Sequence, residues 1–156
     1  MDGSLFARWR LKTSGVRHHS IEGFLGGRMM KRILLAEDEE VLRMLVVDTL
    51  EDEDYVVDEA ADGMEAIQLL ESNTYDLIIL DYMMPGYTGL EIIEKIQSSE
   101  NKNQGKILML SAKSQQFEQE RILEAGADYF MAKPFSPLKL IEKIEVILHE
   151  TETLLY

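Results

Sequence analysis

Five short apolar runs follow Met30 and are separated by stretches with helical spacing. The runs cover residues 33–36, 55–57, 77–80, 107–110 and 129–131. Those at 77–80 and 107–110 are apolar at successive positions, which is typical of parallel strands buried on both faces. The pattern therefore predicts five strand-helix units, with a parallel sheet covered by helices on both sides.

Capping residues mark the predicted helix starts. Three such starts are visible: Asp62 with Glu65, Thr88 with Glu91, and Ser136 with Pro137. Gly126 marks the end of a helix at roughly 115–125. That helix contains a polar stretch and has the thinnest apolar face of the five, so we expect it to be the least firmly docked.

Composition and charge exclude several classes of function. The 156 residues are 46% hydrophobic and suffice for one domain with a core. The net charge is −13, and residues 1–29 hold five Lys/Arg against two Asp/Glu, so the negative charge falls on the rest. Such a surface repels nucleic acid and anionic lipid. The absence of cysteine excludes disulfides and Cys-type zinc sites, and no apolar run approaches a membrane span.

The sequence predicts that the chain consists of three segments. Residues 1–29 have no helical or strand period, contain five glycines and lack the apolar core of a secretory signal, so we expect a disordered leader or an artificial N-terminal extension. Residues 30–150 are the predicted domain, and 151–156 a C-terminal tail. We expect a cytoplasmic protein, either a stand-alone module or one excised from a longer chain.

Polar side chains stand where the predicted strands end. Glu37 and Asp38 follow the first strand, Asp81 the third and Ser111 the fourth, while Lys133 lies just past the fifth. Each has an ordinary interpretation by itself as a loop, turn or surface residue. Ligands of open parallel sheets bind outside the carboxyl ends of the strands, so their joint placement favours one shared site.

Clustered carboxylates have a chemical use. Two or three of them make an oxygen site for a hard divalent cation such as Mg²⁺. An aspartate there can attack phosphorus and form an aspartyl phosphate, with a lysine and a hydroxyl stabilising the phosphoryl oxygens. On this interpretation Glu37 and Asp38 hold the metal. Glu39 and Glu40 face water at a helix start, where the helix dipole favours negative charge.

Four motifs in this order and spacing resemble the receiver domain of bacterial two-component response regulators. They are "ILLAEDEE", "DLIILDYMMPGYTGLEII", "KILMLSA" and "GADYFMAKPFSP", and the resemblance covers residues 31 to about 149. It implies a doubly wound, flavodoxin-like fold with five parallel strands in the order 2-1-3-4-5. It also implies a cis peptide bond between Lys133 and Pro134.

The resemblance assigns roles to individual residues. Asp81 is the implied phosphoacceptor, with Mg²⁺ held by Glu37, Asp38, Asp81 and the backbone carbonyl of Met83. Ser111 and Lys133 would contact the phosphoryl group. Glu37 stands where the family most often has aspartate, although a Glu-Asp pair also occurs there, and Phe130 replaces the common tyrosine at the switch position.

A phosphorelay function follows from the resemblance. The phosphoryl group would come from a histidine kinase or a histidine phosphotransfer protein, and the chain would catalyse only its own phosphorylation and dephosphorylation. Ser111 and Phe130 would then shift the face formed by the fourth helix, fifth strand and fifth helix. A downstream protein or a second copy would bind that face, with no direct contact to nucleic acid or membrane.

Other functions on this architecture fit less well. An FMN binder needs a Gly/Ser/Thr-rich loop after the first strand, where this chain has four carboxylates. A phosphatase of the haloacid dehalogenase type needs a second aspartate two residues after the first, where this chain has Met83. A receiver that is never phosphorylated and acts purely as an interaction module stays open.

Overall fold

After Met30, five strands and five helices alternate in the computed structural model, which describes residues 24–25, 28–99, 104–112 and 116–153. The strands are β1 (Arg32–Ala36), β2 (Val56–Ala60), β3 (Leu77–Asp81), β4 (Lys106–Ser111) and β5 (Tyr129–Ala132). The helices are α1 (Glu40–Asp52), α2 (Gly63–Ser72), α3 (Gly89–Ser98), α4 (Gln116–Glu124) and α5 (Pro137–Thr153).

The five strands form one parallel sheet in the order β2-β1-β3-β4-β5. This order confirms the predicted doubly wound topology. Ala36 at the end of β1 pairs with both Ala60 of β2 and Leu80 of β3. The carboxyl ends of these three neighbouring strands are therefore level, and the residues that follow them share one edge of the sheet.

Side chains alternate between two apolar layers, one on each face of the sheet. Ile33 and Leu35 face the layer that also contains the buried residues of α1 and α5. Leu34 and Ala36 face the layer completed by α2, α3 and α4. Because both faces are covered, β3 and β4 are apolar at successive positions, as the sequence pattern indicated.

The observed strands extend beyond the apolar runs. The largest difference is at β2, which runs to Ala60 and includes Asp58 and Glu59, whereas the apolar run ends at Val57. Asp58 is only 5% exposed, yet it accepts hydrogen bonds from Tyr75 Oη at 2.7 Å and Arg32 Nη2 at 3.0 Å. These partners satisfy a buried carboxylate that would otherwise be costly inside a strand.

The predicted helix caps are confirmed. Asp62 accepts a hydrogen bond from the backbone of Glu65, and Thr88 forms a reciprocal capping box with Glu91. The helix α5 begins at Pro137, where Ser136 Oγ accepts from the Lys139 amide at 3.2 Å. Among the described residues of α4, Ile122 is the one that is buried, consistent with the thin apolar face expected there.

The ends of the chain are described only in part. Within the predicted leader, Phe24–Leu25 and Arg28–Met29 pair as two antiparallel strands, and the other residues before Met29 lie outside the described ones. At the other end α5 continues to Thr153, and 154–156 lie outside the description. No helix in the described part of the chain is long and apolar enough to cross a membrane.

Candidate functional site

Three carboxylates meet at the carboxyl edge of the sheet. Glu37, Asp38 and Asp81 each place one oxygen within 4.8 Å of the others. Glu37 is 1% exposed and Asp81 6% exposed, while Asp38 lies open to solvent. They meet because β1 and β3 are neighbours whose last paired residues are level, so the chain turns out of both strands at the same place.

Lys133 reaches this cluster from the far side of β4. Its Nζ donates to Glu37 Oε1 at 2.7 Å and lies 3.2 Å from Asp81 Oδ2. The lysine follows β5, its amide donates to the Ser111 carbonyl at 2.8 Å, and the next peptide bond, to Pro134, is cis as expected. One ammonium group is thus shared between two buried carboxylates.

The close packing changes the proton affinity of these groups. Burial, reinforced by neighbouring Asp81, raises the pKa of Glu37 to about 8, although Lys133 acts against the rise. Burial and Asp81 also raise the pKa of Asp38 above its ordinary value. Burial by itself would lower the pKa of Lys133, but its hydrogen bond to Glu37 and the charges of Asp81 and Glu37 outweigh burial and leave it raised.

One carboxylate oxygen of the cluster has the properties of a metal ligand. Glu37 Oε2 is buried and accepts no hydrogen bond from the described residues, while Oε1 is taken by Lys133. A buried carboxylate oxygen without a partner is costly, and a bound cation would remove that cost. The donors are all oxygens, which is the ligand chemistry of Mg²⁺. The cluster therefore fits a hard divalent cation.

Two hydrogen bonds hold the loop between Asp81 and α3. The Gly89 amide donates to the Tyr82 carbonyl at 2.9 Å, and the Gly63 amide donates to the Pro85 carbonyl at 3.1 Å. A Cβ at Gly89 would lie 3.0 Å from the Asp81 carbonyl oxygen and closer still to the Met109 sulfur. The absence of a Cβ at Gly89 lets α3 begin against the end of β3.

Ser111 and Phe130 lie on the neighbouring strands β4 and β5. Ser111 ends β4, is 1% exposed and pairs with Ala132 of β5. Phe130 is half-buried and packs against the apolar layer on the side of α2, α3 and α4. The structure thus places Ser111 at the carboxyl end of β4 and Phe130 inside β5, while Met83, in the loop after Asp81, is 59% exposed.

Two further residues contact this edge and were not singled out from the sequence. Arg43 of α1 donates from Nη1 to the Glu37 carbonyl oxygen at 2.7 Å, and its Nε lies 3.4 Å from Glu59 Oε1 of β2. In the sequence, an arginine in the first turns of an amphipathic helix resembles any solvent-facing charge. Since its partners are a backbone carbonyl and a residue on another strand, no spacing in the sequence indicates the contact.

Sequence comparison identifies the family. The model of the response regulator receiver domain matches residues 33–145. The chain is 40% identical over 124 residues to the alkaline phosphatase synthesis transcriptional regulatory protein PhoP of Bacillus subtilis (80% of this chain, 51% of PhoP). It is 40% identical over 126 residues to the transcriptional regulatory protein ResD of the same organism, with the same coverage. The chain thus spans about half the length of the curated relatives it matches.

Solved structures agree with this grouping. The chemotaxis response regulator CheY4 of Vibrio cholerae has a TM-score of 0.72 at 31% identity, covering 77% of this chain and 100% of CheY4. The receiver domain of the sensor histidine kinase PA1611 from Pseudomonas aeruginosa PAO1, with a magnesium ion coordinated in its active-site cleft, has a TM-score of 0.68 at 30% identity, covering 76% and 98%. These receivers form a signalling family, not a classical enzyme family. By sequence, strand order and the acidic edge of its sheet, the chain belongs to the response regulator receiver domains.

Proposed function

We propose that this chain is the phosphoacceptor module of a two-component phosphorelay, with Asp81 as the acceptor. The observation that carries the proposal is the convergence of Glu37, Asp38 and Asp81, with Lys133 3.2 Å from Asp81 Oδ2, in a chain of the receiver family. Asp81 is the carboxylate that ends the central strand between the acidic pair and the lysine.

The acidic residues would hold Mg²⁺ through Glu37, Asp38, Asp81 and the Met83 carbonyl. When bound, the ion neutralises phosphoryl oxygens and screens the charge of the acceptor. The unpartnered Glu37 Oε2 supports this assignment, because it is an oxygen that no described protein group uses. Glu37 has a longer arm than aspartate, and Lys133 fixes that arm through Oε1.

Phosphoryl transfer would use the remaining side chains. A carboxylate oxygen of Asp81 attacks the phosphorus of a phosphohistidine, its new O–P bond forms as the P–N bond breaks, and the released imidazole takes up a proton from water. Lys133 is already within reach of Asp81 and would pair with a phosphoryl oxygen. The Ser111 hydroxyl would donate to another oxygen.

The response would spread from the site to a binding face. Movement of Ser111 toward the phosphoryl group would make room for the half-buried Phe130 ring, and the surface of α4, β5 and α5 would shift with it. The donor would be a histidine kinase or a histidine phosphotransfer protein in the cytoplasm. A downstream protein, or a second copy of the chain, would bind the shifted face.

Intact-mass measurement after incubation with acetyl phosphate and Mg²⁺ tests the proposal. We expect the wild type to gain the mass of one phosphoryl group and Asp81→Asn to gain none, since the amide is a poor nucleophile. Asp52→Asn is the matched control, because Asp52 is an exposed aspartate at the end of α1 away from the site and its loss should leave labelling unchanged. Labelling of Asp81→Asn would refute the acceptor assignment. A wild type that also stays unlabelled with a histidine-kinase donor would favour the non-phosphorylated interaction module instead.

A further inference from the structure

We propose that Arg43 is a positioning residue of the metal site, acting through the backbone of Glu37. The inference rests on the proposed function, since it concerns the Mg²⁺ that the acidic residues would hold. It adds a residue from α1 that lies outside the ligand set and touches neither Asp81 nor Lys133 in the described contacts. Arg43 is linked to the site by one short hydrogen bond to the backbone carbonyl of Glu37, a proposed metal ligand.

The backbone of Glu37 is held on both sides. Its amide donates to the Ala60 carbonyl at the end of β2 at 3.0 Å, and its carbonyl accepts from Arg43 Nη1 at 2.7 Å. The same guanidinium lies 3.4 Å from Glu59 Oε1, so one planar group joins α1, β2 and the turn after β1. A guanidinium presents several donors in a fixed fork, which suits a clamp between two acceptors.

This clamp bears on the metal because Glu37 has left β1, and β2 holds its amide but not its carbonyl. The strand ends at Ala36, while the Glu37 side chain must aim one oxygen at Lys133 and leave the other for a cation. A rotation of the Glu37 backbone would move both oxygens. Groups that orient metal ligands without touching the metal commonly change affinity by about 10- to 100-fold when removed.

A role in stability alone makes a different prediction. If Arg43 only pins α1 to β2 through Glu59, its loss would lower the stability of the metal-free protein and leave Mg²⁺ affinity unchanged. The two partners of Arg43 separate these cases. Glu59→Gln removes the charge of the ion pair while leaving Arg43 free to donate to the Glu37 carbonyl, whereas Arg43→Met removes both contacts and keeps much of the side-chain volume.

The experiment is a titration with MgCl₂ at constant ionic strength, read by calorimetry and by the rise in Tm, on the full chain. We expect Arg43→Met to bind Mg²⁺ about 10-fold more weakly than wild type. Glu59→Gln should bind within about twofold of wild type, because it spares the carbonyl contact. Arg43→Lys, which keeps a donor near the carbonyl without the fork, should fall between Arg43→Met and wild type.

Each outcome decides the question. Unchanged Mg²⁺ affinity in folded Arg43→Met, or equal weakening in Glu59→Gln, overturns the positioning role. If Arg43→Met does not fold, weaker binding by Arg43→Lys than by Glu59→Gln supports the role, and equal binding overturns it. Wild type that fails to bind Mg²⁺ at all would instead count against the proposed metal site, so failure of the inference and failure of the function are distinguishable.

Discussion

A single substitution, Asp38→Asn, is expected to raise the stability of the metal-free protein and to weaken its response to Mg²⁺. Asp38 is exposed but lies within 4.8 Å of oxygens on Glu37 and Asp81, and Lys133 is the one described cation within the cluster. Three acidic side chains thus face one ammonium group, and Asp81 repels Asp38 even where Glu37, whose pKa is raised to about 8, is protonated. Removing the charge of Asp38 relieves repulsion without removing the ion pairs that Lys133 makes with the other two.

The distance between the carboxylate oxygens sets the size of the expected increase in stability. Two unit charges at the 4.8 Å limit repel by about 1 kcal/mol in water and about 3.5 kcal/mol at an effective dielectric constant of about 20. Because Asp38 is exposed, and its attraction to Lys133 offsets part of the repulsion, the lower figure applies. We expect the free energy of unfolding to rise by about 1 kcal/mol, which corresponds to a Tm increase of about 4 °C.

Added Mg²⁺ should reduce the stability advantage of Asp38→Asn over the wild type. At a Mg²⁺ concentration about ten times its Kd, binding to the folded state alone stabilises the wild type by about 1.4 kcal/mol, or about 5 °C. Asp38→Asn lacks the charge of one proposed ligand, so its Kd should rise and its Tm increase should be smaller. The Tm difference between the two proteins should therefore shrink, or change sign, as Mg²⁺ is added.

Thermal unfolding followed by circular dichroism, with KCl holding the ionic strength constant, measures both effects. Glu40→Gln is the matched control, because Glu40 is also an exposed acid at the start of α1 but lies outside the cluster. Its loss removes a favourable helix-dipole interaction and should lower stability by about 0.5 kcal/mol, with the full Mg²⁺ response retained. An Asp38→Asn variant that is less stable without metal, or that keeps the whole Mg²⁺ response, would contradict this account of the acidic site.

Two further predictions concern other parts of the molecule. Tyr75→Phe removes the 2.7 Å hydrogen bond to buried Asp58 and leaves Arg32 paired to it. We expect the free energy of unfolding, measured in urea, to fall by about 1.5–3 kcal/mol. A fall of less than about 0.5 kcal/mol would contradict this role of Tyr75. Met83 is exposed beside the proposed acceptor and cannot orient a water by hydrogen bonding, so Met83→Asn should speed loss of the phosphoryl mass after the donor is removed. Equal decay rates at the same Mg²⁺ and pH would show that Met83 does not control hydrolysis.

Much of the fold is encoded locally. The successive apolar positions at 77–80 predict a strand buried on both faces, and Leu77–Asp81 is such a strand. Asp62 and Thr88 cap helices because their side chains accept from amides three residues ahead, a contact set by local geometry alone. The acidic pair after one strand and Asp81 after another also sufficed to predict a shared edge, since parallel strands end at the same side of a sheet.

The apolar pattern of the sequence did not predict the full length of β2. Asp58 and Glu59 interrupt the apolar pattern, and charged residues ordinarily mark the end of a strand. They lie within β2 because Arg32 of β1 and Tyr75, just before β3, donate hydrogen bonds to Asp58, and Arg43 of α1 pairs with Glu59. A local pattern contains no information about partners that arrive from other elements.

The sequence by itself determined the elements, their order in the sheet and the identity of the residues at its carboxyl edge, because strand burial, helix caps and the four receiver motifs are all written along the chain. Only the tertiary structure decided how those residues meet. Lys133 lies 96 positions from Glu37 and yet donates to it at 2.7 Å, Glu37 Oε2 is buried without a described donor, and Arg43 holds the Glu37 carbonyl. Such contacts depend on which strands become neighbours and on how far each side chain reaches, so they exist only once the sheet has formed.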